Sequence, residues 1–289
     1  MAISSFIPEI WSASLLENLK KTLVFGGVCN RDYEGDIANA GDTVHITSIS
    51  RPTVRAYVPN QASLTVDEVF DASRALLIDQ MNYAAFKIDD VDARQAAGNV
   101  LPAATLETSY ALAESADRYI ASLYTGIQSA NAVSLTASPI TVTGGSGVTA
   151  WTQVWDSILV PLSVKLDEAN VPRANRWVVI PPWLQGALIR DDRFVRMDAS
   201  GTTEGLRNGL VGRAAGFDIL LSNNCPVPAA NQSVVIAGTN SAITYAEQIL
   251  KMEAYSPEAS FSDAVKFLHV FGARLVRPDS LAYAVAASV

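Results

Sequence analysis

Charge is scarce in this 289-residue chain: 17% of residues are Asp, Glu, Lys or Arg, against 49% hydrophobic ones. A typical soluble domain carries about a quarter charged residues, so part of the apolar surface here is expected to lie against other chains. Cysteine is nearly missing. Cys29 and Cys225 stand far apart with no second Cys or His at metal-ligand spacing, which excludes a disulfide framework and a cysteine-based zinc site. Histidine is equally rare, and His45 and His269 sit in strand-like apolar runs with no HExxH and no serine nucleophile elbow. Positive charge is in deficit as well. With 21 basic and 29 acidic residues the net charge is −8, which argues against strong nonspecific nucleic-acid binding.

Long apolar runs are also lacking. A membrane-spanning helix needs roughly 18 uninterrupted apolar residues, and the richest stretch, Trp177 to Trp183, is short and holds two prolines. The first residues, MAISSFIPEIWS, have none of the basic start, apolar centre and small-residue cleavage site of a secretory signal, so a soluble protein used in a cytoplasm is expected. Glycine-rich GGSGVTAW lacks the lysine and the Ser or Thr of a phosphate loop. Acidic pairs have structural explanations. Asp89, Asp90 and Asp92 precede a helix, where negative charge suits the dipole, and Asp191 and Asp192 adjoin Arg190 and Arg193. Paired-carboxylate chemistry is therefore not expected, and neither is a cofactor or a metal.

What is present is a sequence of textures. Pro8 to Val24 places Trp11, Leu15, Leu19 and Leu23 four apart, which predicts an amphipathic helix ending at Gly26 and Gly27. From Gly41 to Ala85 the pattern turns to β: TVHITSI, then TVRAYVP, then RALLIDQMNYAAF, with a turn at Pro59 and Asn60. A two-stranded excursion of this kind is marginal alone, so something outside it should stabilise it. Leu106, Tyr110, Ala113, Ala116, Ile120, Leu123 and Ile127 then form one apolar stripe. They predict a helix roughly 37 Å long at about 1.5 Å per residue, with Pro102 in its first turn. Ala130 to Val148 reads as short strands and a loop. From Trp151 the texture alternates: a helix with Val154, Ile158, Leu162 and Leu166, kinked or divided by Pro161, then strand RWVVIPP, helix WLQGALI and strand GFDILLSNN. SVVIAG, SAITYAE, FLHVFGARLV and LAYAVAAS are expected as further strands of the same sheet.

One stretch draws attention by composition. In GLVGRAAGFDILLSNN, Gly209, Gly212 and Gly216 permit positive φ and close backbone approach, while Phe217, Ile219 and Leu221 line one strand face. Arg213 is expected to hold the turn through carbonyls or a carboxylate, and Asn223 and Asn224 suit a turn before Pro226.

This stretch resembles a signature of tailed-bacteriophage major capsid proteins. FIPEIWSASLLENLKKTLVF is similar to their N-arm, GDTVHITSISRPTVRAY to the start of their E-loop, FKIDDVDARQA to the return towards the spine helix, and RNGLVGRAAGFDILLSNN to a turn and strand of the A-domain. The resemblance spans nearly the whole chain in the expected order, in the coat-protein branch that includes short-tailed phages of enteric bacteria. It implies an α+β chain with the HK-ninety-seven-type capsid fold: N-arm 1–40, E-loop 41–85, P-domain 86–150 with the spine helix and completed by C-terminal strands, A-domain 151–260, and C-terminal strands 261–289. It further implies a virion subunit, not an enzyme. Hexamers and pentamers of it would close an icosahedral shell around double-stranded DNA, with no sequence-specific DNA contact and no membrane. Assembly in the host bacterial cytoplasm would use a separate scaffolding protein and a portal protein. The implied contact residues are Trp11, Leu15 and Leu19 of the arm, Arg51, Arg55, Tyr57 and Asn60 of the E-loop, and Gly209, Gly212, Arg213, Gly216 and Asn223 of the A-domain stretch. Two alternatives stay open here: an encapsulin-like bacterial compartment, and an α/β binding protein or enzyme.

Overall fold

The computed structural model describes residues 24–32, 43–49, 53–55, 71–89, 100–142, 153–189, 212–257 and 262–288. The helix expected over Pro8 to Val24 lies outside them except for its last residue. A short helix α1 (Phe25–Val28) comes first, followed by strands β1 (Thr43–Ile49), β2 (Asp71–Leu77) and β3 (Gln80–Asp89). The long helix α2 (Val100–Ser122) leads to β4 (Ile140–Val142). Helix α3 (Val160–Glu168), β5 (Arg176–Ile180), helix α4 (Pro182–Ile189), β6 (Arg213–Ala214) and β7 (Phe217–Leu221) follow. The chain closes with β8 (Gln232–Thr239), β9 (Ile243–Tyr255), β10 (Ser262–Leu275) and β11 (Leu281–Ser288).

Among the described residues the strands form three sheets. Strands β1 and β2 make an antiparallel ribbon running from Thr43 opposite Leu77 to Ile49 opposite Asp71. Thr53–Arg55, expected as part of a following strand, is not in one. Pro52, immediately before it, has no N–H to give to a ladder. A second sheet has the order β3-β10-β9, antiparallel throughout. The third has the order β4-β11-β8-β5-β7-β6 and is mixed, with β4 parallel to β11 and β5 parallel to β7. The four C-terminal runs therefore do not return to one sheet: β8 and β11 join the six-stranded sheet, and β9 and β10 pair with β3. Period-two alternation says that a strand is half buried and not which layer it joins.

Both faces of the six-stranded sheet are covered, which is why RWVVI reads as an unbroken apolar run. Trp177, Val179, Val234, Ile236, Leu281 and Val285 point to the side where α2 contributes Leu112, Ala113, Ala116 and Ile120. Val178, Ile180, Val235, Ala237, Ala282 and Ala284 point to the other, against Ile158, Leu162 and Leu166 before and within α3 and Leu184 and Leu188 of α4. Pro161 does not divide its helix. Val154–Leu159 forms a π-helical segment leading directly into α3, and the wider turns take up the proline, whose missing N–H would otherwise break the ladder.

The run RALLIDQMNYAAF breaks at Ile78–Asp79 into β2 and β3, which belong to different sheets. Leu76 and Ile78 are buried on Ala246 and Val270, on the back of the three-stranded sheet. This crossing needs glycine in β10. A Cβ on Gly272 would lie 2.4 Å from the Leu77 carbonyl oxygen and 3.0 Å from Ile78 Cα, both backbone atoms that cannot swing aside.

The apolar stripe of α2 is buried in only part of its length. Ala113, Ala116 and Ile120 are enclosed as expected, and Leu106 and Tyr110 are exposed. Within the buried part sits a carboxylate, Asp117, which is 1% exposed. It accepts the backbone N–H groups of Val24 (3.1 Å) and Phe25 (2.7 Å), and the Asn224 side-chain amide at 3.1 Å. Burial raises the Asp117 pKa, and the bonds from Asn224, Phe25, Val24 and Gly26 pull the other way without cancelling it.

Glu247 of β9 is a second buried carboxylate. It pairs with Arg31, accepts the Tyr245 hydroxyl at 2.7 Å and lies 3.5 Å from His269 Nε2. Burial pushes its pKa up, but the bond from His269, the Arg31 charge and the Tyr245 and Arg31 bonds outweigh this and hold it at about 2. Tyr245 moves up, through burial and the adjoining Glu247 charge.

Two predictions follow from this framework. Because the Glu247 pKa is depressed from 4.5, its contribution is fully present above about pH 4.5 and is lost as pH falls towards about 2. The shift corresponds to roughly 3 kcal/mol, so Glu247→Gln should lower urea-unfolding stability at pH 7 by an amount of that order and flatten the acid limb; an unchanged acid limb in the variant would contradict the assignment. Gly272→Ala should destabilise by about 1–3 kcal/mol, as overpacking does, and should raise the proteolytic susceptibility of the β1–β2 ribbon specifically. A variant with wild-type melting temperature and ribbon protection would show that the crossing is looser than described.

Candidate functional site

The two buried carboxylates described above are bonded to neighbouring backbone and side-chain groups, and among the described residues no group of three or more His, Cys, Asp or Glu could hold a metal ion. The feature that stands out instead is exposed apolar surface. On β3 the residues alternate cleanly. Asn82 donates to Ser115 of α2 at 2.8 Å, and Ala84 and Phe86 pack into the core, Phe86 with its ring centroid 6.1 Å from that of Phe267. The opposite face presents Met81 at 59% and Tyr83 at 80% exposure, followed by Ala85 and Lys87.

Strand β10 continues this outward face. Leu268 sits opposite Tyr83, and Lys266 opposite Ala85. Lys266 pairs with Glu253 of β9 at 2.6 Å and lies 5.2 Å from the centroid of the Tyr255 ring. The Glu253 carboxylate beside it raises the Lys266 pKa. Tyr83, Glu253, Lys266, Phe267 and Leu268 line a shallow groove of about 290 Å³ whose walls are mostly carbon. Leu77 adds a further exposed side chain at the end of β2, and Leu106 and Tyr110 lie exposed on α2. Tyrosine and methionine bordered by one ion pair make a surface suited to binding another chain.

The glycine-rich stretch forms a hairpin. Strands β6 and β7 pair antiparallel, joined by Ala215 at φ 50° and Gly216 at φ 84°. The two consecutive left-handed residues match the twist of a tight hairpin. Gly216 thus fills the role expected of it. Gly212 does not adopt a positive φ, and the second left-handed position falls on Ala215, which no glycine count would reveal. Arg213 pairs with a carboxylate, Asp218 at 3.1 Å, directly across the hairpin; both are more than half exposed, so the pair contributes little stability. Phe217 is buried and Ile219 packs on the core, but Leu221 is exposed. At the following turn Asn223 is exposed, and the bonding falls to its neighbour Asn224.

The other contact candidates separate by position. Arg55 is exposed, and Trp11, Leu15, Leu19, Arg51, Tyr57, Asn60 and Gly209 lie outside the described residues. Residues that the sequence reading passed over are Asp117, Glu247, Arg31, Met81 and Tyr83. Asp117 had a legible signal, an acid set among Ala113, Ala116 and Ile120 on one helix face. For Glu247 there was none, because its partners come from positions 31 and 269.

Comparison with known proteins agrees with this picture. A family model described as phage capsid protein matches residues 82–284. A structure from Mycobacterium phage Che8 superposes with a TM-score of 0.71 at 30% identity, covering 99% of this chain and 98% of that one. The capsid structure of the cyanophage P-SCSP1u gives a TM-score of 0.65 at 18% identity, covering 88% and 85%. A virus-like particle from Pyrococcus furiosus gives 0.56 at 13%, covering 96% and 98%. The last two likenesses show the fold alone. No curated protein sequence matches the chain. The architecture is the α+β, HK-ninety-seven-type capsid fold, and the chain belongs to the phage capsid protein family.

Proposed function

We propose that this chain is a major capsid protein, copies of which close into the icosahedral shell enclosing the double-stranded DNA of a tailed phage. The observation that carries this reading is the match at 30% identity over 99% of the chain to a structure from a mycobacterial phage, together with an apolar sheet face that a monomer would leave in water. The encapsulin alternative has less behind it, since the match at 30% identity is to a phage structure and the family model is of a phage capsid protein. Among the described residues no arrangement of side chains supports an enzymatic reading, and the family is a structural one.

In this reading residues 1–40 form the N-arm, 41–85 the E-loop, 86–150 with C-terminal strands the P-domain, and 151–260 the A-domain. Each ring of subunits uses a heterologous interface, one patch meeting a different patch on the next copy, which closes hexamers and pentamers. The E-loop lies over the adjacent subunit. A net charge of −8 suits a container whose DNA must move in and out. A separate scaffolding protein and a portal complete the assembly in the host cytoplasm.

Tyr83 offers a clean test, because a side chain 80% exposed can change with only about 0.5 kcal/mol of effect on folding. Tyr83→Asp is expected to keep the wild-type melting temperature and lose shells, seen as rings or free subunits by electron microscopy and sedimentation. Wild-type shell yield from this variant would remove the sheet face from the assembly surface.

A further inference from the structure

The segment from Val24 to Arg31 is held at two separate points, each by a buried carboxylate from a different element. At the first, Asp117 of α2 accepts the Val24 and Phe25 amides and so caps α1, which has no side-chain cap of its own. The same carboxylate also accepts the Asn224 side chain at 3.1 Å and lies 3.5 Å from the Ser222 hydroxyl. Three pieces of chain therefore meet on one group: the start of α1, the long helix, and the turn that ends the glycine-rich stretch. At the second point Asn30 is hydrogen-bonded into the edge of β9, its N–H donating to the Ile243 carbonyl at 2.8 Å and its carbonyl accepting Tyr245 N–H at 2.9 Å. Arg31 then pairs with Glu247 and covers the Tyr245 ring at 5.2 Å.

Stability alone gives a poor account of the first point. A buried carboxylate loses hydration, and an apolar residue in an otherwise apolar helix face would serve folding at least as well. What the carboxylate adds is direction, since two backbone amides and two side chains must converge on its two oxygens. We propose that Asp117 and Glu247 are a two-point clamp that fixes the course of the chain from Val24 to Arg31 on the body of the subunit. They are then positioning residues for contacts between copies. This rests on the shell reading above, and it gives the glycine-rich stretch a second role: Ser222 and Asn224 complete the clamp, so the six-stranded sheet and the segment starting at Val24 share one anchor.

The experiment uses the full chain, with hydrogen exchange of free subunits read by mass spectrometry and shells read by electron microscopy. Asp117→Ala should accelerate exchange in peptides covering 24–31 by about 10- to 100-fold, the equivalent of losing charged hydrogen bonds, and leave peptides over Val234–Ala237 at wild-type rates. Its shells should be irregular or open in place of closed and uniform. Arg31→Ala, which removes a partly exposed side chain and leaves the core intact, should give the same two effects at smaller size, and it decides the matter if Asp117→Ala does not fold. Uniform acceleration across the molecule would make these groups ordinary core residues and overturn the proposal. Local acceleration with closed, uniform shells would overturn the positioning role. If wild-type protein forms no shells, the shell reading fails, while the exchange arm still reports on the clamp.

Discussion

One helix serves two sheets. The buried face of α2, with Leu112, Ala113, Ala116 and Ile120, lies in the same apolar cluster as Val234 and Ile236 of the six-stranded sheet and Val265, Phe267 and Phe271 of the three-stranded sheet. Neither sheet could move relative to the other without opening this cluster. Alanine at 113 and 116 lets the strands approach closely, and Ile120 and Tyr119 fill the space further along, Tyr119 meeting Phe271 edge-on at 5.6 Å. The rest of the molecule hangs on this shared core. Among the described residues the β1–β2 ribbon joins the body through Leu76 and Ile78, on the opposite face of the three-stranded sheet, and the first described residues reach the shared core through Phe25 and the two carboxylates.

This arrangement separates a closely packed body from apolar surface left exposed among the described residues. On the outer face of β3 the exposed side chains are Met81 and Tyr83, beside the Lys266–Glu253 pair. A low overall charge content and an exposed apolar sheet face are two views of one fact: part of the surface is built for protein and not for water. Chemistry is directed to the same end. The buried polar groups join elements: Asp117 of α2 accepts the Phe25 amide of α1, Glu247 of β9 pairs with Arg31, and Arg176 at the start of β5 donates to Asp167 of α3.

Much of this was legible in the sequence because local periodicity survives folding. The Ala113, Ala116 and Ile120 part of the α2 stripe, the double-sided burial of RWVVI, and the Val154, Ile158, Leu162 and Leu166 row appear where spacing put them. The failures have physical causes. A run such as RALLIDQMNYAAF alternates the same way whether it is one strand or two, so its break at Ile78 was invisible. Leu106 and Tyr110 belong to the stripe by spacing but are exposed, since periodicity marks a helix face and not how far along it the core extends. Left-handed backbone fell on Ala215 beside Gly216 because hairpin twist, and not residue preference, sets the turn. Long-range polar joins such as Arg31 with Glu247 leave no local trace at all.

The central claim is that Met81 and Tyr83, on the outer face of β3, become covered when copies assemble. Hydroxyl-radical footprinting of Met81 and Tyr83, in free subunits and in purified shells, tests it most directly. The account predicts strong modification of both side chains in the subunit and marked protection in the shell; equal modification in the two states would contradict it.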